Sequence, residues 1–321
     1  MIQVQQSVWD GGETKWRKQQ VRADAEVDRE KLNVDMYALD ERVNQLFFGI
    51  LLLDEQLEQN RLLLDDLDRT HRTVSICIDN GTANRSDLDE VAVEQLSIRQ
   101  QQVSLEASRR AYADMLLLYL GRKPEEEIKL QKPLAEEPSD WQNRRPELRW
   151  YDAQSALLGV QDASLAAGFM PRLGVFMQGA YGNPGLNMLQ DKFKSYFVAG
   201  VSLSWNLGRL YTLKNDRRLI ENNRLMLETG RQTFLFNTSL EVTRQEADVN
   251  ALRRQMADDD EIIRLRTRIR QASEAKLQNG AYTVNDLLRD ITEENLARRQ
   301  KALHEVQLLM KLYDWKHAVG E

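Results

Sequence analysis

The sequence predicts a mainly α protein, built from long antiparallel coiled-coil helical hairpins in two internal repeats with a few β-strands. Three observations carry this. An apolar heptad seam continues along most of one very long helical segment. The order strand, long helix, Asn-Gly turn, shorter helix, Gly occurs twice. Punctuation is sparse, with 6 prolines and 16 glycines in 321 residues, so the elements must be long. Charged residues at 29% and aromatics at 7% suit solvated helices better than a thick globular core.

The chain opens on a strand-like stretch, Ile2–Trp9, and Asp10-Gly11-Gly12 then supplies a helix start with Glu13 in the first turn. The seam follows: Leu32, Met36, Leu39, Val43, Leu46, Ile50, Leu53, Leu57, Asn60, Leu64 and Leu67 alternate in steps of four and three. Such spacing implies coiled-coil packing with a left-handed supercoil. Asn60 is the one polar member, and either fixes the register or faces water. The helix is expected from about Glu13 to about Ile78, roughly 95–100 Å at 1.5 Å per residue. Asp79-Asn80-Gly81 stops it, with glycine suited to the left-handed C-terminal position. A second helix is expected from about Ser86 to Leu120, ending at Gly121.

The segment after it holds Pro124, Pro133 and Pro138 and the acidic cluster Glu125-Glu126-Glu127, so a linker rather than a helix is expected. Pro146 is well placed as a first helical residue, and the helix it opens runs to Gly168. Two strand-like stretches follow, Arg172–Gly182 and Tyr196–Asn206, with Gly182-Asn183-Pro184-Gly185 opening the loop between them. In the second, Ala199, Val201, Leu203 and Trp205 point one way, and Gly200, Ser202, Ser204 and Asn206 the other. Apolar residues against small or polar ones, with a terminal tryptophan, fit a membrane-barrel strand. An antiparallel hairpin of a soluble protein fits the alternation equally well.

From Trp205-Asn206-Leu207-Gly208 the pattern of Trp9-Asp10-Gly11-Gly12 begins again. A long helix to about Leu277, an Asn279-Gly280 turn and a helix to Val319 follow. At one constant offset Asn80-Gly81 maps onto Asn279-Gly280, Asp87-Leu88 onto Asp286-Leu287, Glu94 onto Glu293, Arg99 onto Arg298, and Gly121 onto Gly320. This spacing is read as an internal duplication. The chain therefore divides into a strand (1–10), a first hairpin (11–121), a linker (122–145), a helix (146–170), a β-hairpin (171–207) and a second hairpin (208–321).

Several functions are excluded. A net charge of −6 with no Lys/Arg-rich block speaks against nucleic acid. Cys77 is the one cysteine, read as a buried apolar residue, and His71, His304 and His317 lack metal-ligand spacing. No nucleophile elbow, phosphate loop or zinc motif is present, so neither catalysis nor a cofactor is expected. The apolar run Leu46–Leu53 is too short for a transmembrane helix, so a membrane role needs β-strands. The acidic run Asp258–Glu261 is read as a solvated face.

The chain resembles the TolC-like outer membrane efflux family. Trp9–Gly12, the tips at 80–88 and 279–287, Arg145–Leu148, Met170-Pro171, Gly179–Gly182 and Val201–Gly208 carry the match in order and spacing. The resemblance implies a homotrimer whose strands build a shared barrel in outer membrane lipid of a Gram-negative bacterium, with helices forming a periplasmic tunnel. It implies a passive channel coupled through a periplasmic adaptor, or membrane fusion protein, to an inner-membrane pump. It places the hairpin tips at Asn80, Gly81, Asp87, Asn279 and Gly280, and an acidic gate position at Asp286. One turn on, where the family pattern has a second acid, stands Arg289, which can pair with Asp286 at i,i+3 spacing. Met1 is followed at once by strand-like sequence, with no signal peptide and one strand fewer than the repeat requires. A truncated gene product is therefore expected. A single-hairpin periplasmic coiled-coil adaptor or structural protein is the alternative.

Overall fold

The computed structural model describes residues 1–124, 126, 128–139, 142–183, 189 and 191–321. The elements in order are β1 (Ile2–Trp9), α1 (Glu13–Asp79), α2 (Arg85–Tyr119), α3 (Pro146–Ala167), β2 (Arg172–Gly182), β3 (Lys194–Ser204), α4 (Arg209–Gln278) and α5 (Val284–Val319). The protein is thus mainly helical with one small sheet. No described helix is long and apolar enough to cross a membrane. The chain divides into two units, residues 1–36 with 145–237, and residues 37–144 with 238–321.

The first unit holds the antiparallel sheet, ordered β1-β2-β3. Next to it, Asp10 starts α1: its carboxylate accepts the backbone N–H of Gly12 and of Thr14, each at 2.9 Å. The bonds from Thr14 come first in holding this carboxyl below the ordinary carboxylate range, with Gly12 adding to them. Gly11 adopts φ +71°, and a Cβ built there would sit 2.6 Å from Met170 Cβ. Both facts demand glycine. Gly11→Val is therefore expected to lower stability by about 2–3 kcal/mol, summing a left-handed backbone penalty and overpacking. Chemical denaturation followed by circular dichroism measures this, with exposed Gly81→Val as the reference for φ strain alone.

In the same unit α3 opens on Pro146 as anticipated. Its Tyr151 ring lies 6.0 Å from that of Phe234 on α4, and the Arg145 guanidinium caps the Phe234 ring at 5.0 Å. Arg149 pairs with Glu30 on α1 at 3.3 Å. The third strand begins and ends two residues earlier than the sequence predicts. Trp205 leaves the ladder because its indole N–H donates to the Phe169 carbonyl at 2.8 Å. Asn206 turns to accept the Gly208 N–H at 3.1 Å. Pro184 and Gly185 of the expected loop lie outside the described residues.

The second unit packs the remaining parts of α1 and α4 with α2 and α5. Near the turns, Leu63, Leu67, Val74, Val91 and Ile98 form one apolar cluster with Leu277, Val284, Leu287, Leu288 and Ile291. Burying each such Leu or Ile stabilises by roughly 1.5–3 kcal/mol, which is why these helices hold together without long-range strand pairing. Seam residue Asn60 is only 2% exposed, so of its two alternatives the solvated one falls. At the other end of the seam Leu32 and Met36, in the first unit, remain exposed. Helices α1 and α2 approach closely at Gly49, where a Cβ would stand 3.0 Å from the Tyr112 ring. Cys77 is buried.

The segment between α2 and α3 is a strap without helix over its described residues. Lys132 bonds Glu55 at 2.6 Å, Arg253 bonds Glu137 at 2.7 Å, and the Arg144 N–H donates to the Val319 carbonyl at 2.8 Å. Of its acidic cluster, Glu125 and Glu127 lie outside the described residues. The acidic run on α4 needs correction. Asp258, Asp260 and Glu261 are exposed, but Asp259 is buried against His304 on α5, with 2.8 Å between Oδ2 and Nδ1. The helix turns one carboxylate in four residues inward, where an imidazole meets it.

Candidate functional site

Two surfaces collect the residues singled out by the sequence. The first is one face of the sheet. Strand partners in register share a face, so the pairs Val4–Met177, Val175–Val201, Leu173–Leu203 and Met177–Ala199 place their side chains together. Val201 and Leu203 are exposed, as are Val4, Leu173, Val175, Met177 and Phe197 on the same face. The register shift between Ser7 and Trp9 matters here. It sets Trp9, not Val8, opposite Leu173, and so settles a parity that the sequence leaves open because both residues are apolar. Ala199, Val201 and Leu203 thus share one face, while Trp205 stands just beyond the strand.

The opposite face carries Gln3, Gln5 and Ser7 on β1, Gly174, Phe176 and Gln178 on β2, and Gly200 and Ser202 on β3. Phe176 lies over Gly200, where a Cβ would meet its ring at 2.9 Å. One side is mostly apolar, with Gln6 opposite Val175 as its polar member on β1, and the other mixes amides and small residues with Phe176 and Val198. At one end of the β2–β3 ladder, Tyr181 on β2 stacks on Phe193, which immediately precedes β3, at 5.6 Å.

The second surface is formed by the two hairpin turns. Gly81 and Gly280 both take the left-handed conformation, φ 77° and 69°, and follow Asn80 and Asn279. In the first turn the Asn84 N–H donates to Asp87 Oδ2 at 2.8 Å. In the second, Thr283 Oγ1 accepts the Asp286 N–H at 3.2 Å and its hydroxyl donates to Asp286 Oδ2 at 2.6 Å. Thr283 therefore caps α5, and the Asp286 carboxylate in the first turn holds the capping hydroxyl in place. Its other oxygen lies 3.8 Å from an Arg289 Nη, the anticipated i,i+3 pair in loose form.

Behind the second turn lies a polar layer that sequence reasoning missed. Glu294 on α5 is 4% exposed. It accepts from Thr267 at 2.7 Å and from Arg298 at 2.6 Å, and Arg270 Nε stands 2.5 Å from its other oxygen, an ion-pair contact off the hydrogen-bond angle. Burial opposes its ionisation, but the bonds from Thr267 and Arg298 and the charges of Arg270 and Arg298 outweigh it. The carboxyl titrates below its ordinary value. Glu294, Arg270 and Arg298 line a cleft of about 490 Å³ with Asp66, Arg69 and Glu274. Opposite charges are matched in it, and among the described residues no His/Cys/Asp/Glu group is arranged to hold a metal ion. The available signal was the internal offset, which aligns Glu294 with Gln95 and Thr267 with Asp68. Gln95 donates to Asp68 at 2.6 Å, so the same contact recurs with donor and acceptor exchanged.

Long hairpins and a three-stranded antiparallel sheet with an exposed, mostly apolar face define a class: this is the fold of the TolC-like outer-membrane channels. No protein-family model matches the chain, and neither does any curated protein. Solved structures do. The outer-membrane channel OprN superposes at TM-score 0.77 with 14% identity, covering 99% of this chain and 74% of that one. The outer membrane protein VceC from Vibrio cholerae follows at 0.75 and 14%, covering 99% and 78%. The CmeC outer membrane channel of Campylobacter jejuni gives 0.72 and 12%, covering 99% and 70%. At such identities the likeness is one of fold, and the resemblance read from the sequence holds at that level.

Proposed function

We propose that this chain is the channel subunit of an export conduit across the outer membrane of a Gram-negative bacterium. The observation that carries the reading is the exposed, mostly apolar face of the sheet, which holds Val4 on β1, Leu173, Val175 and Met177 on β2, and Val201 and Leu203 on β3. Water disfavours such a face on a monomer, and lipid accommodates it. The fold shared with outer-membrane channels supports the same reading. On it, strands from three copies close a barrel and the two hairpins, related by duplication, line a periplasmic tunnel. The conduit performs no catalysis, and a periplasmic adaptor and an inner-membrane pump supply direction and energy. Asn80, Gly81, Asp87, Asn279 and Gly280 form the tips, and Asp286 with Arg289 forms the gate.

Purified chain reconstituted into planar lipid bilayers tests the channel reading. Discrete conductance steps and a trimeric mass in detergent are expected; a monomer that stays soluble without detergent and leaves the bilayer silent overturns it. For the gate, Asp286→Asn is expected to change single-channel conductance or cation selectivity by about two- to fivefold, because a ring of carboxylates biases ion entry. Selectivity measured in a salt gradient checks this, with Asp87→Asn as the control expected to leave it unchanged.

A further inference from the structure

The constant offset between the hairpins exposes one exchange of core chemistry. Val74 on α1 and Val91 on α2 are fully buried in the apolar cluster behind the turns. Their counterparts are Ser273 on α4 and Asp290 on α5, 3% and 6% exposed. Ser273 Oγ donates to Asp290 Oδ2 at 2.6 Å. The same oxygen accepts the Tyr282 hydroxyl at 3.3 Å, and Arg289 Nε lies 4.0 Å from Oδ1. Where the second hairpin has Tyr282 and Arg289, the first has Ala83 and Glu90. All four members of the cluster are thus peculiar to the second hairpin.

A buried carboxylate costs stability that two valines would not, so its presence calls for a positional role. The geometry supplies one. Tyr282 belongs to the turn, Lys276 of α4 stands 5.5 Å over its ring, and Arg289 reaches its hydroxyl oxygen at 3.5 Å. Arg289 therefore sits between two carboxylates, Asp286 at the helix start and Asp290 in the core. We propose that Asp290 is a positioning residue for the tip. It ties the turn through Tyr282, and the guanidinium of Arg289, to α4 through Ser273, and so fixes where the Asp286–Arg289 pair presents its charge. The proposal rests on reading Asp286 and Arg289 as the gate.

Hydrogen exchange read by mass spectrometry on the full chain in detergent tests it. The variant Ser273→Val/Asp290→Val recreates the apolar pair of the first hairpin, so its helical content and melting temperature should hold or rise. Amide exchange over residues 279–290 should rise about tenfold, while residues 80–91 stay unchanged. Unchanged exchange at 279–290 overturns the proposal. Should the double variant fail to fold, Ser273→Ala removes the α4 anchor alone. A rise of about threefold is then expected, and no rise overturns the proposal. Conductance separates the two readings. Faster exchange with wild-type conductance leaves Asp290 as the tip's anchor and removes Asp286 and Arg289 as the gate. Unchanged exchange, with Asp286→Asn still altering conductance, keeps the gate and removes Asp290.

Discussion

Arg270→Met is expected to destabilise the protein by about 3 kcal/mol at neutral pH, the low end of the range for orphaning a buried charge, because Arg298 still holds one Glu294 oxygen. Arg270 is the side chain that reaches three carboxylates. It stands 2.5 Å from Glu294, 3.2 Å from Glu274 and 3.8 Å from Asp66 on α1. Methionine preserves most of the packing volume and removes only the charge and donors. Glu294 titrates in the folded protein below its ordinary value of 4.5. Its pairing therefore contributes stability that is fully present above that value and fades as pH falls through the lower folded value. The deficit of Arg270→Met should accordingly be largest near pH 7 and close in acid, where a protonated Glu294 no longer needs a counter-charge. Arg270→Met/Glu294→Gln should recover most of the loss. Urea titrations at several pH values measure all three; a deficit independent of pH would mean that packing, not charge, is what Arg270 supplies.

Val201→Arg is expected to abolish stable insertion into the outer membrane. Val201 is exposed near the middle of β3, on the face shared with Val175 and Leu203. A cationic side chain at the midplane of a barrel's lipid face costs about 2–4 kcal/mol, and a trimer incurs it three times over. The same charge on the other face, in Gln178→Lys, should be tolerated because that side already carries amides and small residues. Fractionation of expressing cells, with membrane-extracted and soluble protein quantified by immunoblot, reads the contrast. Equal membrane fractions for both variants would remove the lipid-facing assignment.

Much of the helical architecture was legible in the sequence because its signals are local and repeated. The heptad seam, the Asn-Gly turns at 80 and 279, Pro146 at the start of α3 and glycines at the helix ends each specify backbone conformation through near neighbours. The third strand slipped by two residues because its end is set by Trp205 reaching Phe169, a contact between segments far apart in sequence. The parity of Ile2–Trp9 was illegible for a similar reason. A bulge is a property of two paired strands, and alternation within one strand contains no trace of it.

The buried polar layer marks the same boundary. Asp259, Asp290 and Glu294 sit in sequences dense with charge, where helical periodicity on a 29% charged chain cannot say which carboxylate turns inward. Their partners His304, Ser273, Thr267 and Arg270 lie on a different helix. The sequence by itself determined the kinds of element and their order, because dihedral preference and apolar period act over a few residues. Only the tertiary structure decided which acids are buried, which residues of the three strands share the mostly apolar face, and how Asp286 and Arg289 are held, because each depends on a neighbour brought close by folding.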